Sequence, residues 1–285
     1  MLWWGVGFEN GIETMPADSI ALTANARAIL ETRQGLADRT ARLSAALSSG
    51  KKVRTVTDDA VAFAAAGALT DRAGQLAAVQ DSVGQGVSTI NAALTASSSI
   101  NDLLKQAQGI AGAGLASTDA SERAGLAGQY NQVLGQIDAL AADAGYQGVN
   151  LLSASSSALT VSLGGRAGDA LSVSNRDNGS AALGLTAVAT DGSGFSAALV
   201  DQVGAAVDRN NATQASLGGA VGALSSRAEA ANEQAAVAVQ GAAGLIDADL
   251  GETAAGLLAT QTRQQLARVA QGVSQQGQSS LLSLF

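Results

Sequence analysis

Apolar residues recur at every third or fourth position along most of this chain, and its only proline is Pro16. This spacing places apolar side chains on one face of an α-helix, so long helices are predicted. The clearest repeat lies near the start of the chain, where four apolar residues follow one another at intervals of seven, as in a coiled coil. They are Leu22, Ile29, Leu36 and Leu43.

Glycine and capping residues divide the periodic pattern into helices. The first helix is expected to begin at about Asp18, as its N-cap, and to end at residues 48–50, which read Ser-Ser-Gly. The second is expected to run from about Asp59 to Gly112, a length of roughly 75 Å at ~1.5 Å per residue. A glycine-containing break at residues 112–114 is expected to end it.

The third helix is predicted to begin near residues 117–119, and helical periodicity returns at Phe195 and continues to the tail. Between them, residues 153–194 are rich in Ser, Gly and Asn and show short apolar and polar alternations, which are typical of strands. Two short strands joined by a glycine-bearing loop are therefore expected, around residues 159–163 and 171–173.

These elements together predict a mainly α fold: a long coiled-coil-like helical rod formed by paired N- and C-terminal arms, with a small β-hairpin-type central insert. A chain that leaves along a rod and returns along it brings its two ends together. The insert is too small to bury a core of its own, so it is expected to sit on the rod as an outgrowth.

Composition narrows the possible functions. The chain has no His and no Cys, which excludes disulfides, thiol nucleophiles, Cys/His metal sites and imidazole acid-base chemistry. The net charge of -8 argues against nucleic acid as a partner, since a protein that binds phosphates needs a basic face. No apolar run reaches the roughly 18 residues of a membrane-spanning helix, so no insertion into a membrane is predicted.

Two pairs of carboxylates are the best candidates for an enzyme site: Asp58 with Asp59, and Asp247 with Asp249. The chain has no His or Cys that could complete a hydrolytic or metal site beside them. They are interpreted as helix caps, or as partners, between copies of the chain, of Lys51, Lys52 and Arg54 in the basic loop after the first helix. No catalytic, cofactor-binding or metal-binding residue is predicted, and the chain is not expected to be an enzyme.

Residues 1–14 differ from the rest of the chain. They contain both tryptophans, Trp3 and Trp4, but no basic residue ahead of them and no long apolar run, so they do not match a secretory signal. They are interpreted as an atypical N-terminal extension, and the alternative is that translation begins at Met15.

The other end of the chain, residues 246–285, is helix-prone and carries few charges. An apolar chain end stays exposed unless something covers it, and the expected cover is another protein. Arg263 and Arg268 lie in this segment, and two interpretations of them are open. They form ion pairs between copies of the chain, or they belong to a solvated face.

Three segments of the chain carry the motifs of a known protein family. Residues 43–59 join the end of a helix to a Ser-Gly turn, basic residues and two aspartates. Residues 146–152 read Tyr-Gln-Gly-Val-Asn-Leu-Leu, and residues 246–285 begin with Ile-Asp-Ala-Asp and end with Ser-Leu-Phe. The residues that carry these motifs are Asp58, Asp59, Gly148, Val149, Asn150, Leu151, Leu152, Asp247 and Asp249. In these three segments the chain resembles bacterial flagellins, the subunits of the flagellar filament.

This resemblance implies an arrangement of the chain in the filament. Residues 15–48 and 245–285 would be the terminal helices of the inner filament core, and residues 49–152 and 195–244 the rod-like outer-core domain around it. Residues 153–194 would form a variable surface insert. In the inner core, Leu22, Ile29, Leu36 and Leu43 would pack on Leu250, Leu257, Leu258 and Leu266, and the assembly seam would include Leu284 and Phe285.

The resemblance also implies the function. The chain would be exported unfolded through the flagellar type III apparatus, with an export chaperone, and would polymerise with copies of itself outside the cell into the filament used for motility. Hook-associated and cap proteins would be its other partners, and no cofactor is expected. The alternatives are a hook-filament junction protein, which shares the terminal helices, and a membrane-active secretion-system translocator, which needs a long apolar hairpin.

Overall fold

A computed structural model of the protein describes residues 17–164 and 169–282, without the side chains of residues 17–26, 278, 281 and 282. Long helices and two small antiparallel strand pairs make up this part of the chain, which confirms the predicted mainly α fold with a small β insert. The predicted extension at residues 1–14 lies outside the described residues. The helices are α1 (Ala17–Ser49), α2 (Ala60–Ala116), α3 (Ala120–Asp143), α4 (Ala197–Ile246) and α5 (Leu250–Leu282), and the strands are β1 (Gly145–Tyr146), β2 (Val149–Asn150), β3 (Leu159–Ser162) and β4 (Ala170–Val173).

Contacts divide the chain into two compact units. The terminal unit combines the residues up to 67 with those from 242 onward, and the central unit comprises residues 68–241. Both boundaries fall inside long helices, α2 and α4. Each of these helices packs within the terminal unit along one part of its length and within the central unit along the rest. The functional division near residues 48 and 245 stays a prediction.

The core of the central unit lies along the predicted apolar stripes. Ile90, Ile100 and Leu104 of α2, Ile137 of α3 and Leu224 of α4 are fully buried in one continuous cluster. Their spacing on each helix follows the three-and-four pattern of a buried face. These side chains make the central unit stable on its own account, since each fully buried large apolar side chain contributes about 1.5–3 kcal/mol.

The insert shares this core and does not project from the helices as a separate outgrowth. Strands β3 and β4 pair antiparallel, with Leu159 opposite Val173, as the alternating sequence predicted. The side chain of Val161 reaches α2 so closely that a Cβ added at Gly86 would lie 2.5 Å from its Cγ2. Glycine at this position therefore allows the strand to pack directly on the helix.

The predicted break at residues 112–114 is wrong, because α2 continues to Ala116. Gly114 lies inside the helix, at the point where a side chain from another part of the chain packs against it. A Cβ added at this residue would lie 2.5 Å from Cγ and Cδ2 of Phe195, so the glycine makes room for an aromatic ring that is buried in the core. A helix tolerates such a glycine at a cost of about 1 kcal/mol, and the packed ring offsets that cost.

A buried polar network crosses the central unit. Asn210 of α4 accepts hydrogen bonds from Ser97 Oγ of α2 and from Asn178 Nδ2 of the insert, both at 2.7 Å, and its own Nδ2 donates to the Ser97 carbonyl at 2.9 Å. Thr213 Oγ1 donates to Asn178 Oδ1 at 3.2 Å. The network therefore connects α2, α4 and the insert, and its directional hydrogen bonds favour one relative position of these three elements.

The terminal unit contains α1 and α5, which lie antiparallel. Gln264 of α5 donates to Thr40 of α1, and Arg33 of α1 donates to Gln271 of α5, so residue numbers rise along one helix as they fall along the other. The start of α1 differs from the prediction, because Asp18 lies inside the helix and not at its N-cap. Its end agrees with the prediction: Gly50 follows Ser49 with φ +70°, a backbone conformation that glycine adopts readily.

Candidate assembly surfaces

The face of α5 that meets α1 is largely polar. Thr253 and Thr260 are the most buried of the described side chains of α5, and Gln264 and Gln271 hydrogen-bond across to α1 at 3.0 and 2.9 Å. Successive positions are seven, four and seven residues apart, which keeps them on one face. The contact therefore relies on small and amide side chains on the α5 side. The α1 side contributes half-buried apolar residues, namely Ile29, Leu36 and Leu43.

The apolar side chains of α5 form a second stripe that faces solvent in the single chain. At about 100° per residue, this stripe covers an arc of about 80° and lies opposite the face that meets α1. Its side chains are 64 to 67% exposed. We call this surface the outer stripe, and its members are Leu258, Leu266, Val269 and Val273.

Within one chain, Leu258 and Leu266 do not pack on α1, because both belong to the outer stripe. Their packing on the helices of neighbouring copies stays a prediction. Leu250, in the first turn of α5, is also 50% exposed, whereas Leu257 is half-buried on the side of α1. The helix has two stripes with the same spacing, and the polar one meets α1. The side chain of Leu22 and residues Leu284 and Phe285 lie outside the described part of the structure.

A shallow groove of about 360 Å³ runs between α1 and α5. It lies about a third of a turn from the outer stripe around α5. Small side chains line it, so a larger apolar side chain from another molecule has room to enter. We call it the small-residue groove, and it is lined by Ala28, Ile29, Thr32, Ala267, Ala270 and Ser274.

The opposite groove between α1 and α5 is narrower, about 90 Å³, and has basic walls. Arg33 and Ala37 line it from α1, and Gln264 and Arg268 line it from α5. No carboxylate is among these residues. We call it the arginine groove.

The loop between α1 and α2 is held by two aspartates. Asp58 Oδ2 accepts hydrogen bonds from the backbone N–H groups of Arg54 and Thr55, both at 3.0 Å, and these bonds hold the pKa of Asp58 below its ordinary value of 3.8. Asp59 caps α2, since its Oδ1 accepts the backbone N–H groups of the first helical turn at 3.0 and 2.9 Å. Both carboxylates therefore hold the local backbone, and Asp59 does so as the helix cap that the sequence predicted.

The second pair of aspartates organises the start of α5. Asp249 Oδ1 caps this helix by accepting the backbone N–H groups of Gly251 and Glu252 at 2.8 and 3.0 Å. Asp247 pairs with Lys51 through an isolated antiparallel bridge of the backbone. The two pairs of aspartates therefore lie in two neighbouring connections of the terminal unit, the α1–α2 loop and the α4–α5 turn, which are joined by the bridge between Lys51 and Asp247.

The Gly-Val-Asn-Leu-Leu segment forms a cap on the end of α3. Gln147 and Gly148 both have positive φ, 49° and 82°, and so close the tight hairpin between β1 and β2. Asn150 Nδ2 donates to the carbonyls of residues 141 and 142 at 2.8 and 2.9 Å, which satisfies the end of α3. Val149 is half-buried, and Leu151 and Leu152 are fully buried. The role of this segment is structural.

Across residues 17–164 and 169–282, Asp, Glu, His and Cys nowhere gather in a group of three or more that could hold a metal ion. No helix in this part of the chain has both the length and the apolarity needed to cross a membrane.

Two comparisons with known proteins bear on the family. The sequence model of the bacterial flagellin N-terminal helical region matches residues 21–157. Flagellin FljK of Caulobacter vibrioides is 29% identical over 274 residues, which cover 95% of this chain and 100% of that protein. Together these matches support a bacterial flagellin. The crystal structure of Bacillus cereus flagellin is also similar, with 18% identity, a TM-score of 0.47, and coverage of 53% of this chain and 88% of that chain.

Flagellins are structural proteins of the extracellular flagellar filament, and this flagellin is a structural subunit of the filament. No comparison favours a hook-filament junction protein or a translocator. Among the surfaces of the terminal unit, the sequence missed Val269 and Val273. Their signal was present, because Thr262, Leu266, Val269 and Val273 follow one another at intervals of four, three and four.

Proposed function

We propose that this flagellin polymerises by burying the outer stripe of each copy against the terminal helices of neighbouring copies. The observation that carries this proposal is the exposure of Leu258, Leu266, Val269 and Val273 on α5. A large apolar side chain contributes about 1.5–3 kcal/mol when it is fully buried, so four of them supply a strong drive for association. A stripe of this kind on a soluble protein marks a surface that a partner covers.

The small-residue groove is a suitable partner for the stripe. The stripe offers Leu and Val side chains, and the groove offers space between Ala, Thr and Ser side chains on α1 and α5. The two surfaces lie on different faces of the same helix pair, so one copy can use both at once. A contact between different patches does not close on itself as a twofold contact does, and it leads to an open helical polymer.

Export as an unfolded chain agrees with the weak packing of the terminal helices. Among the described side chains, none on α1 is buried, and on α5 only Thr253 and Thr260 are buried. Helices with so little buried apolar surface draw most of their stability from neighbours. We therefore infer that this chain is a substrate of the flagellar export apparatus and binds an export chaperone. The two ends of the chain then fold when it joins the filament, where hook-associated and cap proteins are its other partners.

The test replaces the outer stripe without changing the rest of the chain. The variant Leu266→Gln, Val269→Gln, Val273→Gln keeps good helix formers on α5 and removes the apolar contacts. We expect a folded monomer, by circular dichroism and by the midpoint of urea unfolding, that no longer polymerises on filament seeds. Sedimentation of seeded polymer measures the loss.

The matched control carries Val237→Gln and Val239→Gln on α4, since these valines are 69 and 57% exposed but lie outside α5. We expect it to polymerise as the unmodified chain does. Filaments of normal yield from the triple variant on α5 would contradict the proposal. An equal loss from the control would show that exposed apolar surface in general, and not this stripe, drives polymerisation.

A further inference from the structure

Unpaired arginines remain on the helix pair of the terminal unit. The only charged side chains of α5 after Glu252 are Arg263 and Arg268, and both are exposed. Arg268 and Arg33 line the arginine groove, to which no carboxylate contributes. Within residues 17–164 and 169–282, the ion pair found is Lys105 with Asp102, in the central unit. The two guanidinium groups of the groove therefore have no anionic partner among the described residues of their own chain.

The walls of this groove are held in place. Arg33 Nη1 donates to Gln271 Oε1 at 2.9 Å, and Gln264 Nε2 donates to Thr40 Oγ1 at 3.0 Å. A guanidinium group has five N–H donors, so Arg33 keeps most of its donors available for a carboxylate. Arg268 has no hydrogen-bond partner among the described residues, and all of its donors are available.

Unpaired carboxylates lie on a different face of the same helix pair. Glu31 and Asp38 are exposed and seven residues apart, so they share one face of α1 at a separation of about 10.5 Å. That face points away from α5, because Ile29 and Leu36, the half-buried residues that meet α5, lie about 200° around the helix from them. Neither acid forms an ion pair in its own chain within the described residues.

Burying these arginines and acids at an interface between copies costs free energy unless opposite charges pair there. When the outer stripe is buried between copies, the adjoining guanidinium groups lose water, and an unpaired charge in such a place strongly opposes association. The acids with described side chains on α1 are Glu31 and Asp38, and the one acid of α5, Glu252, lies in its first turn. Among these described acids, Glu31 and Asp38 face away from the groove of their own chain, so a second copy can supply them.

We propose that the arginine groove of one copy accepts Glu31 and Asp38 of a second copy, and that these ion pairs set the alignment of neighbouring helix pairs. The proposal rests on the polymerisation proposed above. Copies in a helical polymer share one orientation, so their α1 helices run parallel. Along α1, Arg33 lies nearer the start of the helix, and Arg268 of α5 lies further along, beside Ala37. Glu31 and Asp38 follow the same order on the parallel α1 of the second copy, so we assign Glu31 to Arg33 and Asp38 to Arg268.

The test reverses one charge and then its partner. Seeded polymerisation of the full chain is followed by sedimentation, and the critical concentration is the readout. We expect Arg268→Glu to raise it by about tenfold or more, the range of a close interfacial charge pair. Adding Asp38→Arg to the same chain is expected to restore it to within about threefold of the unmodified chain, whereas adding Glu31→Arg instead is not.

The matched control is Arg263→Glu, which changes the net charge equally on the same helix. Arg263 lies about 140° around α5 from Arg268 and does not line the groove. We expect it to change the critical concentration less than threefold, and circular dichroism of every variant monomer to match the unmodified chain. Higher salt is expected to raise the critical concentration of the unmodified chain and to leave that of Arg268→Gln less affected.

Equal effects of Arg268→Glu and Arg263→Glu would overturn the inference, since the groove would then have no special role. Rescue by Glu31→Arg and not by Asp38→Arg would overturn the assigned pairing. A failure of the unmodified chain to polymerise on seeds is a different result, which counts against the proposed function itself.

Discussion

The two units of this flagellin bury different kinds of side chain. The central unit encloses Ile90, Ile100, Leu104 and Ile137 completely, together with a satisfied polar network around Asn210. The described terminal unit buries only small residues and Val53, and it leaves Leu258, Leu266, Val269 and Val273 on α5 exposed. One unit thus has a core within a single chain, and the other is the unit that we propose to gain its stability from neighbours. In a filament subunit, this separates folding from assembly.

The largest expected effect comes from a cavity in the central unit. Leu104→Ala removes a fully buried side chain and is expected to lower the free energy of unfolding of the monomer by about 2–5 kcal/mol. Leu258→Ala in the terminal unit removes an exposed side chain, and we expect a change within about 0.5 kcal/mol. Urea unfolding of both monomers measures the difference. Similar losses in the two variants would break the comparison between the units.

Two glycines of α2 give a second contrast, within the central unit. Gly114→Ala would press a Cβ against the ring of Phe195, and we expect a loss of about 1–3 kcal/mol in the free energy of unfolding. Gly109→Ala meets nothing within 4 Å on the same helix and is expected to gain up to about 1 kcal/mol. Thermal unfolding of the two variants and of the unmodified chain measures both changes in stability. A stabilised Gly114→Ala variant would show that the ring moves aside without cost.

Tyr130 tests how complete the central core is. Its ring is buried and meets Phe195 edge-to-face, with centroids 6.5 Å apart, but its hydroxyl has no hydrogen-bond partner among the described residues. Burial raises the pKa of Tyr130 to about 12. Tyr130→Phe removes the unsatisfied group and keeps the ring, so we expect unchanged or slightly higher stability, by less than about 1 kcal/mol. A loss of about 2 kcal/mol or more in urea unfolding would reveal a bond that the hydroxyl makes.

The smallest expected effect is the pH dependence of the terminal unit. Hydrogen bonds from the backbone N–H groups of Arg54 and Thr55 lower the pKa of Asp58 from its ordinary value of 3.8. A carboxyl whose pKa is lowered by folding stabilises the protein above its ordinary pKa, and this contribution disappears as pH falls through the lowered value. We expect Asp58→Asn to show a weaker acid dependence than the unmodified chain. Equal acid dependence in circular dichroism down to about pH 2 would contradict this.

Much of the fold could be predicted because it depends on local spacing. The apolar repeats of α2, α3 and α4, the end of α1 before Gly50 and the alternation of β3 and β4 are all properties of short stretches of sequence. The predicted break at residues 112–114 failed for a different reason. A glycine that ends a helix and a glycine that admits a distant aromatic ring look alike in sequence, and only Phe195, far along the chain, distinguishes them.

The assembly surface could be predicted only in part. The sequence pointed to α5 and to Leu258 and Leu266, but it did not distinguish the side chains that meet α1 in the same chain from those that face neighbouring copies. Two stripes with the same spacing run along α5, and apolar pattern alone favours the apolar one as the inner face. The hydrogen bonds of Gln264 and Gln271 to α1 show that the polar stripe lies inside.

The sequence by itself determined that this chain forms long helices, that it lacks the side chains for thiol, imidazole or Cys/His metal chemistry, and that its C-terminal helix has more apolar surface than a lone chain needs. These properties follow from composition and from periodicity within one helix. The tertiary structure alone decided which stripe of α5 faces outward, and that Arg33 and Arg268 share a groove without an acid. Such facts depend on the relative rotation of two helices, which packing between distant residues sets and local sequence does not encode.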